Sequence, residues 1–276
     1  MRFVKGHGTG NDFVVLADLD AQLQLTDATV QALCDRHFGL GADGILRVVP
    51  TAAVDEFAHL AADARWFMDY RNADGSAAEM CGNGVRVFAR YLYDAGLDTT
   101  GAVAIATRDG IKTVRRIAAD RYAVDMGTPE ITEPAPTALD VDGDKYDATL
   151  VSMGNPHAIL FVDDVAAAPV RTLGPRIDAL YPGGSNVEFV RVDAPDALTM
   201  RVWERGVGET LSCGTGACAA AVASAYAGHT GREVAVDVPG GRLDIVWSAD
   251  GRVTMTGPAV FVAAGDLDPE WLAAHP

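Results

Sequence analysis

Two short stretches decide how this chain folds: CGNG at residues 81–84 and CGTG at residues 213–216. In each, a cysteine precedes a glycine, a small polar residue and a second glycine, and apolar residues at helical spacing follow. This pattern predicts a helix that begins directly after each cysteine. The two runs also end alike, in Ala95-Gly96 and in Ala227-Gly228, and a glycine at that place is typical of a helix C-terminus.

The similarity between the two stretches extends outward along the chain. Gly10–Leu16 matches Gly154–Leu160 in outline at an offset of 144 residues, and Ile45–Val48 matches Phe189–Val192 at the same offset. At the two cysteines the offset is 132, so the first copy holds twelve more residues, which we place within Pro50–Arg65. A surface connection tolerates such a change in length. The chain is therefore predicted to be two copies of one half.

Each half is read as mostly strands with one long helix. Thr26 is predicted to cap a further helix that runs through Phe38. We expect an α+β fold of two pseudo-symmetric homologous domains, each a curved, mostly antiparallel sheet wrapped around a central helix, with the active site in the interdomain cleft. The first domain is expected to be residues 1–120 joined by the C-terminal tail 263–276, and the second residues 121–262.

Composition excludes several classes of function. Among 276 residues, 22 lysines and arginines face 38 aspartates and glutamates, a formal charge of −16, so a nucleic acid or an acidic membrane would be repelled. No stretch reaches the roughly 20 apolar residues that cross a bilayer. Residues 1–12 have no apolar centre typical of a secretory signal, and we expect a cytoplasmic protein.

The remaining motifs argue against a metal or a nucleotide cofactor. Four cysteines in a chain of this length are too few for a disulfide scaffold, and their spacing fits no common zinc site. The sequence GLGADG at residues 39–44 has the form GxGxxG, but it follows a helix and precedes a strand, the reverse of the dinucleotide-binding order. No metal and no cofactor are therefore expected.

The two helix starts predict a binding site for an anion. The amides of the first helical turn and the helix dipole favour a negative charge there and lower the pKa of an adjacent thiol. We expect Gly82 and Asn83 on one side, and Gly214 and Thr215 on the other, to hold a substrate carboxylate.

Two cysteines related by pseudosymmetry indicate inversion at a carbon that bears hydrogen. Such inversion needs a base on one face of the carbon and an acid on the other, which a thiolate and a thiol supply. Donors preorganised on the carboxylate stabilise the enolate-like transition state without an imine-forming cofactor. His157, and Glu204 next to Arg205, are the candidates to tune the two thiols.

With these residues in place, the sequence resembles the diaminopimelate epimerases, which interconvert the LL and meso forms of diaminopimelate in the lysine and peptidoglycan pathway without a cofactor. The resemblance covers the whole chain and rests on eight motifs: GTGNDF at 8–13, RNADGS at 71–76, CGNG at 81–84, MGNPH at 153–157, SNVEF at 185–189, WERGVGET at 203–210, SCGTGAC at 212–218 and PGGRL at 239–243.

The resemblance implies specific roles. Cys81 and Cys213 are implied to be the base and acid pair, with His157 assisting Cys81 and Glu204 assisting Cys213. Further residues are implied to bind the substrate's ammonium and carboxylate groups: Asn11, Asn72, Asn155, Asn186, Glu204 and Arg205, with Gly82, Asn83, Gly214 and Thr215 on the reacting carboxylate. A homodimer is implied as well. Some relatives carry glutamine where this chain has Gly44, which puts a side-chain contact from that position in doubt.

Three other readings stay open. Proline and hydroxyproline racemases are similar in using two cysteines, although the asparagines and the ERGVGET run favour a substrate with a charged distal end. The phenazine-pathway isomerases of this architecture lack the paired thiols. In a different class, a protein without enzymatic activity could reversibly join Cys81 to Cys213.

Overall fold

The computed structural model describes residues 1–275. By the density of its internal contacts the chain divides into two compact units: Met1–Val124 together with the segment that begins at Pro258, and Asp125–Gly257. The boundaries expected from the sequence lie after residues 120 and 262.

The described residues contain eighteen strands and five α-helices. The strands are β1 (Arg2–Gly8), β2 (Asn11–Ala17), β3 (Gly44–Pro50), β4 (Trp66–Asn72), β5 (Ala102–Thr107), β6 (Gly110–Arg116), β7 (Arg121–Asp125), β8 (Glu130–Ile131), β9 (Thr137–Val141), β10 (Asp144–Ser152), β11 (Pro156–Phe161), β12 (Asn186–Ala194), β13 (Ala197–Glu204), β14 (Gly208–Thr210), β15 (Glu233–Val238), β16 (Gly241–Trp247), β17 (Val253–Pro258) and β18 (Val260–Asp266). The helices are α1 (Asp27–Cys34), α2 (Gly82–Asp94), α3 (Val170–Asp178), α4 (Gly214–Tyr226) and α5 (Pro269–Ala273).

The first unit is one mixed sheet in the order β18-β1-β2-β3-β4-β5-β6-β7. Only β2–β3 and β4–β5 are parallel pairs. Helix α2 packs against β1 to β6, and its first eight residues, Gly82–Ala89, are all buried. A helix that contacts six strands of one sheet requires the sheet to curve around it, as the sequence analysis expected.

The second unit repeats this arrangement. Its sheet runs β8-β10-β11-β12-β13-β15-β16-β17, with β11–β12 and β13–β15 as the parallel pairs. Helix α4 packs against the strands of this sheet from β10 to β16 and is buried along nearly its whole length. Small side chains make this possible, because eight of its thirteen residues are alanine or glycine.

Strand register corrects one part of the predicted repeat. Phe13 pairs with Gly44 between β2 and β3, and His157 pairs with Asn186 between β11 and β12. The offset from Gly44 to Asn186 is 142 rather than 144. The first copy therefore has two extra residues between its first parallel strands and ten, not twelve, in the connection to β4. Two 3₁₀ turns, Thr51–Ala53 and Asp55–Leu60, occupy that connection.

A second correction concerns α1. The Thr26 side chain caps it as predicted, accepting a hydrogen bond from the Thr29 amide at 3.1 Å, but the helix ends at Cys34 and not at Phe38. Asp35 leaves the helical conformation, and its carboxylate accepts hydrogen bonds from the amides of His37 and Phe38 at 2.7 Å. Because the aspartate side chain binds the amides that follow it, the backbone forms a turn there and the helix ends.

Within residues 1–275, no helix is long and apolar enough to cross a membrane.

Candidate active site

Cys81 is the N-cap of α2, as its sequence context predicts. Its backbone is extended, and its Sγ accepts a hydrogen bond from the Gly84 amide at 3.3 Å. The thiol is half-buried, and Sγ lies 3.3 Å from Asn11 Oδ1. The amides of Gly82 and Asn83 stand in the first turn, where a helix has no acceptors of its own. The chain thus places a thiol, an asparagine and helix-start donors side by side.

Asn83 and Asn11 belong to one hydrogen-bonded group around this helix start. Asn83 Nδ2 lies 3.4 Å from Asn11 Oδ1, and Asn11 Nδ2 donates to Asp43 at 2.8 Å. The buried guanidinium of Arg86 donates to Asn83 Oδ1 at 2.9 Å and to the Gly82 carbonyl at 3.1 Å. Arg86, which the sequence analysis did not single out, therefore fixes the Asn83 side chain and the first turn of α2.

Asn72 lies at the end of β4, opposite Gly44 in the ladder, and its amide donates to Ser76 Oγ at 3.0 Å. Gly44 has no room for a side chain, because a Cβ there would overlap the carbonyl oxygen of Arg71 and lie 2.7 Å from the ring of Tyr70.

Cys213 is the N-cap of α4 and repeats the geometry of Cys81. Its Sγ accepts from the Gly216 amide at 3.3 Å and lies 3.5 Å from Thr215 Oγ1. Only 6% of Cys213 is exposed, however, so this thiol is more deeply buried than its counterpart.

A line of hydrogen bonds leads away from Thr215. Asn155 Nδ2 donates to Thr215 Oγ1 at 3.3 Å, and Asn155 Oδ1 lies 3.0 Å from His157 Nε2. The other ring nitrogen of His157, Nδ1, lies 2.7 Å from Glu188 Oε1, and both side chains are fully buried. His157 was predicted to assist Cys81. The structure joins it to the neighbourhood of Cys213, in the second unit.

Asn186, Arg205 and Glu204 meet where β12 begins and β13 ends. Asn186 Oδ1 accepts from the Arg205 amide at 3.0 Å, and the exposed Arg205 guanidinium donates to the Gly183 carbonyl at 3.1 Å. Glu204 accepts a hydrogen bond from the Thr210 hydroxyl. All seven predicted side-chain positions of the second unit thus lie on neighbouring strand and helix ends: Asn155, His157, Asn186, Glu204, Arg205, Cys213 and Thr215.

The pKa of Cys213 departs from the sequence expectation. Burial raises it well above 9.0, and the carboxylates of Glu204 and Glu188 raise it further. The hydrogen bonds from Thr215 and Gly216 act in the opposite direction and are outweighed. The prediction that a helix start lowers the thiol pKa is therefore wrong for Cys213, because burial destabilises the thiolate by more than the helix start stabilises it.

One group of described residues could hold a metal ion. A ring nitrogen of His157, a carboxylate oxygen of Glu188 and Cys213 Sγ lie within 4.8 Å of one another. The short His157–Glu188 hydrogen bond already occupies the space between two of these ligands. The expectation that the protein needs no metal or cofactor stays a prediction.

Glu188 is the main residue that sequence reasoning missed. It stands within the SNVEF motif, but strand β12 is buried on both faces over its first five residues, so alternation along the strand does not mark Glu188 as a site residue. A charged residue in an otherwise apolar buried strand is the signal that could have found it.

The chain matches one family model and curated relatives of nearly its full length. The family model described as diaminopimelate epimerase matches residues 3–132 and 149–262. A diaminopimelate epimerase from Streptomyces coelicolor is 51% identical, over 98% of this chain and 96% of that protein. One from Thermobifida fusca is 50% identical, over 97% of this chain and 98% of that protein.

Similar solved structures are more distant in sequence. A phenazine biosynthesis protein of the PhzF family from Bacillus anthracis matches with a TM-score of 0.73 at 15% identity, over 97% of this chain and 99% of that one. A hydroxyproline epimerase from Agrobacterium vitis matches with a TM-score of 0.70 at 15% identity, over 98% and 93% of the two chains. These structures share the fold. On the family model and the full-length relatives, the chain belongs to the diaminopimelate epimerase family.

Proposed function

We propose that this protein interconverts LL-2,6-diaminopimelate and meso-diaminopimelate by a two-base mechanism that uses no pyridoxal phosphate. The observation that carries the proposal is the pair of equivalent N-cap cysteines, Cys81 and Cys213, each followed by amides that can hold a carboxylate. Membership of the family, and relatives of nearly equal length that bear this name, support the choice of substrate.

In the proposed reaction one cysteine is a thiolate and the other a thiol. The thiolate takes the α-proton, and the electron pair of the broken C–H bond delocalises into the carboxylate held by the helix-start amides. The thiol then gives its proton to the opposite face of the carbon. The product leaves the two sulfurs in exchanged protonation states, ready for the reverse reaction. Because its pKa is raised, Cys213 is the thiol, and hence the acid, when no substrate is bound.

The remaining polar residues suit a substrate with an ammonium and a carboxylate at each end. Asparagine oxygens and Glu204 accept from ammonium groups, and the Arg205 guanidinium can bind a carboxylate through two parallel hydrogen bonds. Asn11 and Asn83 flank Cys81, Asn155 donates to Thr215 beside Cys213, and Asn186 accepts from the Arg205 amide. We further propose that Glu204 assists Cys213. That His157 assists Cys81 stays a prediction from the sequence, because its two ring nitrogens contact Glu188 and Asn155 in the second unit.

The proposal extends to the protein's setting. We infer a cytoplasmic homodimer with no nucleic-acid or membrane partner and no resident metal. Light scattering coupled to size-exclusion chromatography tests the dimer: a mass near twice 29.0 kDa supports it, and 29.0 kDa contradicts it.

Solvent isotope exchange tests the function directly. The purified protein is incubated with LL-diaminopimelate in deuterated water without pyridoxal phosphate, and deuterium is expected at the inverted carbon of the meso product. An absence of deuterium in the product would refute the function. A parallel incubation with L-proline or hydroxyproline distinguishes the racemase alternative, for which turnover of the cyclic amino acid would be seen instead.

The two-base mechanism requires both thiols to reach one substrate carbon from opposite faces. Gentle oxidation should then join Cys81 to Cys213 and abolish activity, with recovery after reduction. Mass spectrometry of peptides from the oxidised protein checks this. Two unmodified thiols in an inactive, oxidised sample would contradict the required proximity.

A further inference from the structure

Glu188 is a buried carboxylate that the proposed chemistry does not use. Its side chain is fully buried, Oε1 lies 2.7 Å from His157 Nδ1, and Oε2 has no hydrogen-bond partner among residues 1–275. An ionised carboxylate only accepts hydrogen bonds, so His157 Nδ1 must donate to it. A buried charge of this kind is costly unless an opposite charge compensates it.

A protonated His157 ring would supply the compensating charge. Its second nitrogen, Nε2, faces Asn155 Oδ1 at 3.0 Å, and an amide oxygen also only accepts. Both ring nitrogens thus face acceptor oxygens, and a ring that donates from both is an imidazolium paired with the Glu188 carboxylate. The pair is neutral as a whole, and it fixes the orientation of the Asn155 amide.

The orientation of Asn155 sets the direction of the next two hydrogen bonds. With Oδ1 turned toward the imidazolium, Asn155 Nδ2 donates to Thr215 Oγ1 at 3.3 Å. Thr215 Oγ1 accepts this bond, so its own hydrogen is available to donate to Cys213 Sγ, 3.5 Å away. From His157 onward, every bond in the line thus points its hydrogen toward the sulfur, while His157 Nδ1 donates in the opposite direction, to Glu188.

Among the described residues of the first unit, no ion pair stands at the equivalent place. By strand register, His157 corresponds to Phe13, and Glu188, two residues after Asn186, corresponds to Leu46, two residues after Gly44. Phe13 and Leu46 lie 3.4 Å from a Cβ built on Gly84, just as Glu188 lies against one built on Gly216. Two apolar residues fill this space in one copy of the fold, so packing alone does not require an ion pair in the other.

We propose that Glu188 is a positioning residue that orients His157 and Asn155 so that the Thr215 hydroxyl donates its hydrogen bond to the Cys213 sulfur. The inference rests on the proposed function for what Cys213 does, but the orientation itself is independent of any substrate. The hydrogen bond would stabilise Cys213 after it has given up its proton, at the moment when the reaction leaves it as a thiolate.

Nitrogen-15 NMR of the full-length protein labelled at histidine tests the orientation. The His157 signals are assigned by their loss in His157→Phe. In the unmodified protein both ring nitrogens are expected to be protonated, and in Glu188→Gln, which keeps the shape but loses the charge, one proton should be lost. Glu209→Gln is the matched control, because Glu209 lies in the same unit but pairs with Arg171 and Arg201, and it should leave these signals unchanged.

Kinetics test the consequence for Cys213. Glu188→Gln and Thr215→Val should each lower kcat by about 100-fold while KM changes less than about threefold, as orienting residues do. Because they act through one line of bonds, the double variant should be no slower than the slower single variant. Thr215→Val should leave the His157 signals as they are.

Two results would overturn the proposal. One is a neutral His157 ring in the unmodified protein, which needs no variant and holds even if Glu188→Gln fails to fold. The other is multiplicative loss in the double variant. If the unmodified protein does not epimerise diaminopimelate at all, the proposed function fails, while the NMR result still decides the role of Glu188.

Discussion

At the scale of single residues, Cys81 and Cys213 hold the same place in the fold but have different neighbours. Both are N-caps of thirteen-residue helices, and both accept from the amide three residues on. Cys81 is half-buried beside Asn11, whereas Cys213 is buried near the carboxylates of Glu204 and Glu188. Two equivalent thiols therefore differ in burial and in the charges around them.

Alkylation should reveal this difference. Because the pKa of Cys213 lies well above 9.0, only a small fraction is thiolate at neutral pH, and the rate of its reaction with iodoacetamide should rise steadily as pH increases through 9. Glu204→Gln removes one carboxylate that raises this pKa and should speed the reaction at a given pH. Peptide mass spectrometry over time measures both rates. A Cys213 rate that is flat above pH 7 would contradict the assignment.

Loss of either thiol should abolish epimerisation, because inversion requires both faces of the carbon. Cys81→Ala and Cys213→Ala are each expected to lose at least about 10³-fold in kcat, the scale of a removed acid or base. Buried Cys34→Ala is the control, because that thiol lies in a hydrophobic cluster. Near-normal turnover by either of the first two variants, in both directions, would rule out the two-base model.

At the scale of elements, two strand ladders with the same pairing pattern carry different chemistry. Strands β2, β3 and helix α2 enclose Phe13 and Leu46, and the equivalent β11, β12 and α4 enclose His157 and Glu188. Burial of an ion pair contributes little to stability compared with apolar residues of similar volume. The second ladder therefore keeps its charged pair for another reason.

Exchanging the pair should separate stability from activity. His157→Phe with Glu188→Leu installs the residues of the first unit, and we expect the free energy of unfolding to stay the same or to rise by about 1–4 kcal/mol. Either change alone leaves one buried polar partner unpaired and should cost about 3–5 kcal/mol. Urea unfolding measures these values. A double variant that is less stable than both singles would mean that packing here needs the charges.

The two helix starts also differ in the space they leave for a side chain. A Cβ on Gly216 would lie 2.5 Å from Glu188 Oε1, whereas a Cβ on Gly84 meets nothing closer than 3.4 Å. Gly216→Ala should therefore lower the free energy of unfolding by about 1–3 kcal/mol through overpacking. The matched Gly84→Ala should be neutral or gain up to about 1 kcal/mol from helix propensity. Equal midpoints of urea unfolding for the two variants would contradict this.

At the scale of the whole molecule, a chain with a net charge of −16 holds many carboxylates, and those paired in the folded state make its stability depend on pH. Asp12 is the clearest case. Burial raises its pKa, but hydrogen bonds and charges from Arg36 and Lys5 outweigh burial and lower it from 3.8 to about 2. A folded-state pKa below the unfolded value stabilises the fold above the unfolded pKa, and that stability is lost as pH falls through the folded pKa.

Asp12→Asn should show this dependence. After discounting for partial exposure, we expect the variant to lose about 1 kcal/mol in the free energy of unfolding at pH 6. The difference from the unmodified protein should shrink to about half by pH 3. Asp142→Asn is the control, since the Asp142–Arg176 pair is exposed and screened by water. A difference that stays constant between pH 6 and pH 3 would show that Asp12 acts by packing and not by charge.

The sequence by itself determined the features that depend on neighbouring residues. Each of the two equivalent helix starts follows from a cysteine, a glycine and the apolar spacing after them, and strands such as β3 and β4 follow from their own β-branched and aromatic residues. The duplication is readable for the same reason, because both copies keep the same local signals. The eight motifs then led to the family.

Only the tertiary structure decided what depends on strand register and burial. A shift of two residues keeps every side chain on its face of the sheet. The hydrophobic pattern therefore cannot distinguish the observed offset of 142 between Gly44 and Asn186 from the predicted offset of 144. The same register brings Glu188 to His157, 31 residues earlier in the chain. The raised pKa of Cys213 likewise depends on desolvation and on two distant carboxylates, which become neighbours only when the sheet closes around α4.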